Sequence, residues 1–122
     1  MSEPNEPQIC AEFVLDKEGN KPIAVEGASF RIKLFIDGAP DDTHAVTYKL
    51  HESYYDRSRE VREAPRFEEE ITSYGDYPVQ AVIRRKKQSQ VISEKLSAAL
   101  ERGYGKDASQ AIRSAIAQIQ KN

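Results

Sequence analysis

Five stretches of this chain place apolar residues at every second position, and that period restricts the fold more than any other feature. Residues 29–37 carry it most cleanly: Phe30, Ile32, Leu34 and Ile36 share one face, Arg31, Lys33 and Asp37 the other. A period of two is the mark of a strand with one buried side. Phe35 interrupts the polar face and is expected to be half-covered. Residues 8–15 alternate with Ile9, Ala11, Phe13 and Leu15 on one side and Cys10, Glu12 and Val14 on the other. A turn at Glu18-Gly19-Asn20 leads to a short edge segment near 22–25, which Pro22 confines to a sheet margin. Residues 44–51 turn Val46, Tyr48 and Leu50 inward. Residues 66–72 do so with Phe67 and Ile71, leaving Glu69 awkwardly between them. Residues 77–85 bury Tyr77, Val79, Ala81 and Ile83. Period-two segments joined by polar turns predict an Ig-like antiparallel β-sandwich, a mainly β fold.

The period changes after Lys87. Ser93 is a candidate cap for a helix running to about Arg102, with Leu96, Ala99 and Leu100 in one stripe and Gly103 placed to end it. Asp107 is expected to open a second helix, with Gln110 at the capping-box position. The stripe of that helix is Ile112, Ala115, Ile116 and Ile119. The expected organisation is a loose tail at 1–7, a sandwich at 8–90, and a helical appendix at 91–122 packed on it. The appendix has two readings. It covers a sheet edge, or its isoleucines dock a protein partner.

Composition narrows the function. A chain of 122 residues, 39% apolar and 31% charged, buries a real core without staples. A net charge of −2 gives no overall pull toward nucleic acid or anionic membrane. The basic run Arg84-Arg85-Lys86-Lys87 lacks interleaved aromatics and reads as a solvated strand end. Glu68 to Glu70 are expected to lie near it and cancel part of its field. One cysteine, Cys10, excludes an internal disulfide and fits a reducing compartment. The polar start lacks a secretory pattern, and no apolar run approaches the roughly 18 residues that span a bilayer. A cytoplasmic location is the expectation. Two histidines without a ligand-type spacing, and the absence of phosphate-loop, dinucleotide or nucleophile motifs, argue against a metal site, a cofactor or an enzyme.

What stands out chemically is the stretch Leu50-His51-Glu52-Ser53-Tyr54, followed by Ser73-Tyr74-Gly75-Asp76-Tyr77. Both lie at the ends of strand-like segments. Together they supply two aromatic rings and polar groups suited to the floor of a small cleft. The stretch from Ser29 to Ile83, with "LFIDG" and "VTYKLHESYYDRSREVREAPRFEEEITSYGDYPVQAVI", resembles the YEATS domains, Ig-like sandwiches best known as readers of acylated lysine. The likeness lies in an ordered series: the Leu-His-x-Ser-aromatic motif, an Arg-rich stretch, an apolar-Pro step, and an aromatic-Gly turn before a further aromatic. The chain is similar to shortened, prokaryotic-type members, with two helices expected in place of later strands.

The resemblance implies a set of ligand-binding residues: His51, Ser53, Tyr54, Ser73, Tyr74 and Gly75. Tyr54 and Tyr74 would hold the acyl group between their rings. The Ser53 hydroxyl would meet the amide, His51 would line the channel, and the backbone at Tyr74 and Gly75 would bond the carbonyl. Ser73 replaces a glycine common in the family and is expected to narrow the turn. Tyr55 and Tyr77 read as packing residues. The implied partner is an acylated-lysine peptide or protein. The alternative is an interaction or sensor module of a bacterial signalling or defence system, with a vestigial pocket.

Overall fold

The computed structural model describes residues 7–18, 22, 24–25, 29–51, 57–73, 75–105 and 108–121. Eight strands and two helices lie among them: β1 (Gln8–Phe13), β2 (Ala24–Val25), β3 (Ser29–Asp37), β4 (Thr43–Lys49), β5 (Ser58–Val61), β6 (Glu69–Ser73), β7 (Pro78–Arg85), β8 (Ser89–Lys95), α1 (Leu96–Tyr104) and α2 (Gln110–Lys121). The strands form two antiparallel sheets. In the first, β3 is central, with β6 on one edge and β1 and β2 on the other. The second runs β5-β4-β7-β8.

Alternation puts the core between the sheets. Ile9, Ala11 and Phe13 of β1 and Phe30, Ile32, Leu34 and Ile36 of β3 are buried against Val46 and Tyr48 of β4 and Val79, Ala81 and Ile83 of β7. The expected β3 has the expected bounds and faces. Its outer face is a charge ladder: Arg31 pairs with Glu70 at 2.5 Å, and Lys33 with Glu68 at 3.8 Å. Phe35 keeps its place there because the Arg66 guanidinium lies over its ring at 3.9 Å. Cys10, opposite Phe35, is buried as well. Burial, with the Asp37 charge adding to it, pushes its thiol up and away from thiolate chemistry.

Two strands lie where the sequence reads as something else. The Arg-rich connection expected over 52–65 contains β5, and residues 89–95, expected to be turn and helix start, form β8. The strand body therefore runs past residue 90 to Lys95. Both are edge strands with outer faces that are polar apart from Val91, and charged residues point inward from β5, β6 and β8. Glu69 lies opposite Leu34 and so faces the core; Arg59, opposite Tyr48, meets it at 3.1 Å and also donates to the Glu70 carbonyl at 2.9 Å. On the other side Glu94 lies opposite Val79 and meets Arg102 of α1 at 2.7 Å, while Arg102 donates to the Ile9 carbonyl at 2.9 Å. Each open side of the sandwich is thus closed by an arginine holding one carboxylate and one backbone carbonyl.

Helix α1 starts at Leu96, not at Ser93, which belongs to β8. Its first turn is capped from a distance: Asp76 accepts from the Ser97 N–H and from the Ser97 hydroxyl, both at 2.8 Å. Gly103 does not end the helix, which continues to Tyr104 and closes at Gly105, whose φ is 62°. Gly103 serves packing instead. A Cβ there would lie 2.1 Å from the Ala11 carbonyl oxygen, so only glycine lets α1 press against β1. The expected cap at Asp107 lies outside the described residues; Ser109 accepts from the Ile112 N–H at 3.3 Å. The stripe of α2 is as read, but Ile112, Ile116 and Ile119 are only 4%, 6% and 0% exposed and belong to the one core cluster. They are spent on the chain's own core and are not offered to a partner.

Two substitutions test this packing. Gly103→Ala should cost about 3 kcal/mol through the forced separation of α1 and β1, read as a lower denaturation midpoint at unchanged slope. Tyr48 is fully buried and donates its hydroxyl to the Phe67 carbonyl at 2.6 Å, holding Phe67 at a positive φ of 52°. Tyr48→Phe should cost about 1–3 kcal/mol, because it leaves that carbonyl unpaired. A neutral result in either would contradict the packing described.

Candidate functional site

The two motif segments meet at one end of the sandwich. Strands β4 and β7 are neighbours in antiparallel register, with Lys49 opposite Gln80. The chain leaving β4 at Leu50-His51 therefore arrives beside the chain entering β7 at Tyr77-Pro78. His51 stacks on Tyr77, with ring centroids 4.3 Å apart and planes 20° from parallel. Leu50 is buried in the core below, and its N–H donates to the Arg57 carbonyl at 2.7 Å. That bond closes the base of the loop carrying Ser53 and Tyr54. Ser53, Tyr54 and Tyr74 lie outside the described residues.

The β6–β7 loop is tied down on two sides. Ser73 faces the interior opposite Phe30 and is 2% exposed. Its hydroxyl donates to the Gly75 carbonyl at 3.0 Å, and the Gly75 N–H lies 3.5 Å from the same oxygen. The Ser73 hydroxyl is thus engaged within the turn. Gly75 is itself buried, and its contact to the Ser73 oxygen is at the outer limit of hydrogen-bond length. Beyond it, Asp76 caps α1 and the Tyr77 carbonyl accepts from the Leu96 N–H at 3.2 Å. Sequence reading missed this dependence of the loop on α1. The only local trace was an aspartate at the mouth of a turn, and its cap partner Ser97 is 21 residues away.

An open cleft of about 390 Å³ lies beside the stack, bounded by Lys49, Leu50, His51, Pro78, Val79, Gln80 and Ser93. This is large enough for a side chain and part of its backbone. A separate cavity of about 240 Å³ lies between the helices, lined in part by Tyr104, Arg113 and Ile116. Among the described residues no three His, Cys, Asp or Glu side chains converge as a metal site.

The basic run at the end of β7 is partly neutralised, though not by the residues expected. Arg84 donates to the Thr47 hydroxyl at 3.2 Å and lies 3.8 Å from Glu60; Arg85 bonds Asp42 at 2.7 Å. That bond holds the Asp42 carboxyl below the usual carboxylate range. Glu68, Glu69 and Glu70 are taken instead by Lys33, Arg66, Arg59 and Arg31, because β6 belongs to the other sheet.

No described helix is long and apolar enough to cross a membrane. Comparison with curated proteins found no match. Comparison with protein families did: the model of the prokaryotic YEATS domain matches residues 30–95, from the second residue of β3 to the last of β8. The match covers more than half of the chain and includes both loops at the His51–Tyr77 end. The strand order, the motif series and this match agree, and the chain belongs to the prokaryotic YEATS domain family, a family of binding modules.

Proposed function

We propose that the chain is a non-enzymatic reader that holds a flat acyl-amide group, of the acyl-lysine type, between Tyr54 and Tyr74. What supports this reading is the His51–Tyr77 stack, with an open cleft beside His51, within a stretch that matches the family and holds both motif segments. In this reading Ser53 accepts the amide N–H and the Gly75 N–H donates to the amide carbonyl. His51 forms one wall, buttressed by Tyr77.

The chemistry favours a neutral ligand. An acyl amide carries no charge to desolvate, and its π-system lies flat between rings, adding about 0.5–1.5 kcal/mol beyond area burial. Each amide group left without a partner in such a slot costs about 1–3 kcal/mol, so a hydroxyl and a turn N–H at the floor select amides over hydrocarbon. A free ammonium entering such a slot pays the cost of desolvating its charge. The partner is a protein or peptide bearing the modified lysine.

Calorimetric titration with acetyl-, crotonyl- and unmodified-lysine peptides tests this. Saturable binding of the acyl forms alone, weakened about tenfold or more in Tyr74→Ala at unchanged stability, is the expected result. Equal binding of the unmodified peptide, or an unaffected Tyr74→Ala variant, would overturn it. The dependence of the loop on α1 gives a second expectation. Asp76→Ala removes the cap, should lower stability by about 1 kcal/mol, and should weaken acyl-peptide binding about fivefold. Unchanged affinity in that variant would separate the loop's geometry from recognition.

A further inference from the structure

Among the described residues, three long edges of the sandwich are protected and one is left open. The free edge of β1 is sealed by α1: Arg102 donates to the Ile9 carbonyl at 2.9 Å, the Phe13 N–H donates to the Tyr104 hydroxyl at 2.7 Å, and Gly103 abuts the Ala11 carbonyl. The free edge of β6 gives its Glu70 carbonyl to Arg59. Strand β5 is only four residues long and carries Arg59 and Glu60 in ion pairs. These are the usual ways of blunting an edge. Strand β8, seven residues long, has none of them along its middle.

The register identifies which of its backbone groups are open. The Arg85 N–H donates to the Gln88 carbonyl at 2.8 Å, and the Leu96 N–H donates to the Tyr77 carbonyl at 3.2 Å. Hydrogen bonding alternates along an antiparallel ladder. Gln88, Gln90, Ile92, Glu94 and Leu96 therefore turn their backbone to β7, while Ser89, Val91, Ser93 and Lys95 turn theirs outward. The Lys95 N–H is taken by the Glu94 carboxylate at 3.1 Å. Ser89, Val91 and Ser93 are left with outward N–H and C=O groups, and no described residue pairs with them there. At the centre Val91 is 57% exposed, the large apolar side chain left in water among the described residues. It stands in a row with Val82 and Thr47 on the outer face of the sheet.

We propose that the free edge of β8 is a strand-addition site for an extended segment of another protein, with a β-branched apolar centre and acidic residues at both ends. Backbone pairing at Ser89, Val91 and Ser93 supplies the attraction, and Val91 sets the register. The charge requirement comes from the flanks. Lys86 and Lys87 are exposed at one end of the edge and Lys95 at the other, and none is in an ion pair among the described residues. The same lysines argue against a second copy of this chain. Full antiparallel overlap of two β8 strands centred on Val91 sets Lys95 of each against Lys87 of the other, and like charges directly opposite destabilise a pair. This edge borders the cleft at Ser93, and the proposal does not rest on the acyl-amide reading.

The test uses the full chain and two synthetic peptides labelled for anisotropy. One has alternating valine and threonine flanked at each end by two glutamates, the other the same core flanked by lysines. The acidic peptide should bind saturably at low ionic strength and about tenfold or more tighter than the basic one, with loss of that advantage at high salt. Val91→Pro removes an outward N–H without touching the β7–β8 ladder and should reduce binding about tenfold. Should proline disturb the strand, Val91→Lys is the second variant, with thermal melting as the control. Absence of binding by the acidic peptide, equal binding of both, or indifference to the Val91 variants overturns the proposal. Self-association by sedimentation that Val91→Lys abolishes would overturn it too, by assigning the edge to a second copy.

Discussion

A two-sheet sandwich buries its faces easily; its sides and edges are the difficult part, and in this chain two arginines resolve it. Arg59 and Arg102 stand on opposite open sides. Each binds an inward-pointing glutamate, Glu69 or Glu94, and each gives a further N–H to a strand carbonyl, that of Glu70 or Ile9. A carboxylate turned toward a core is costly alone. Paired at the margin, where its side chain keeps about a quarter of its exposure, it joins one sheet to the other. The rest of the architecture follows from these closures. Arg102 brings α1 against β1, Gly103 permits the approach, and the start of α1 accepts the Asp76 cap that steadies the β6–β7 loop.

Helix α1 therefore joins the stability of the sandwich to the geometry of the β6–β7 loop. The loop carrying Gly75 hangs between Ser73, which packs inward and bends the turn with its hydroxyl, and Asp76, which is held by Ser97. The opposing loop is closed at its base by the Leu50–Arg57 backbone bond, and the His51–Tyr77 stack joins the two sides. The described residues on both flanks are thus tied to the sheets and to α1, and a binding surface held in place loses less to ordering when a ligand arrives.

Much of this was legible in the residues. The alternation of Phe30 to Ile36 defines β3, and the spacing of Ile112, Ala115, Ile116 and Ile119 defines the buried stripe of α2. Local reading failed wherever a distant partner decides the outcome. Glu69 and Glu94 break the inward pattern of β6 and β8, and only arginines from β5 and α1 make them tolerable. Strand β8, with Ser-Gln-Val-Ile-Ser-Glu-Lys, has too little apolar content to read as a strand until β7 is beside it. The start of α1 was misplaced because its cap comes from Asp76 and not from the nearby Ser93. At the candidate site, the motif order placed His51 and Tyr77 on adjoining strand ends, where they stack, while the support from α1 had no local signature.

Assigned amide resonances of the full chain, followed while acetyl-lysine peptide is added, test the central claim most directly. The account predicts saturable shifts that are largest at Gly75 and His51, extend to Tyr77 and the first turn of α1, and spare the cavity between α1 and α2. Shifts centred on Tyr104, Arg113 and Ile116, or none at Gly75 and His51 under saturating peptide, would contradict it.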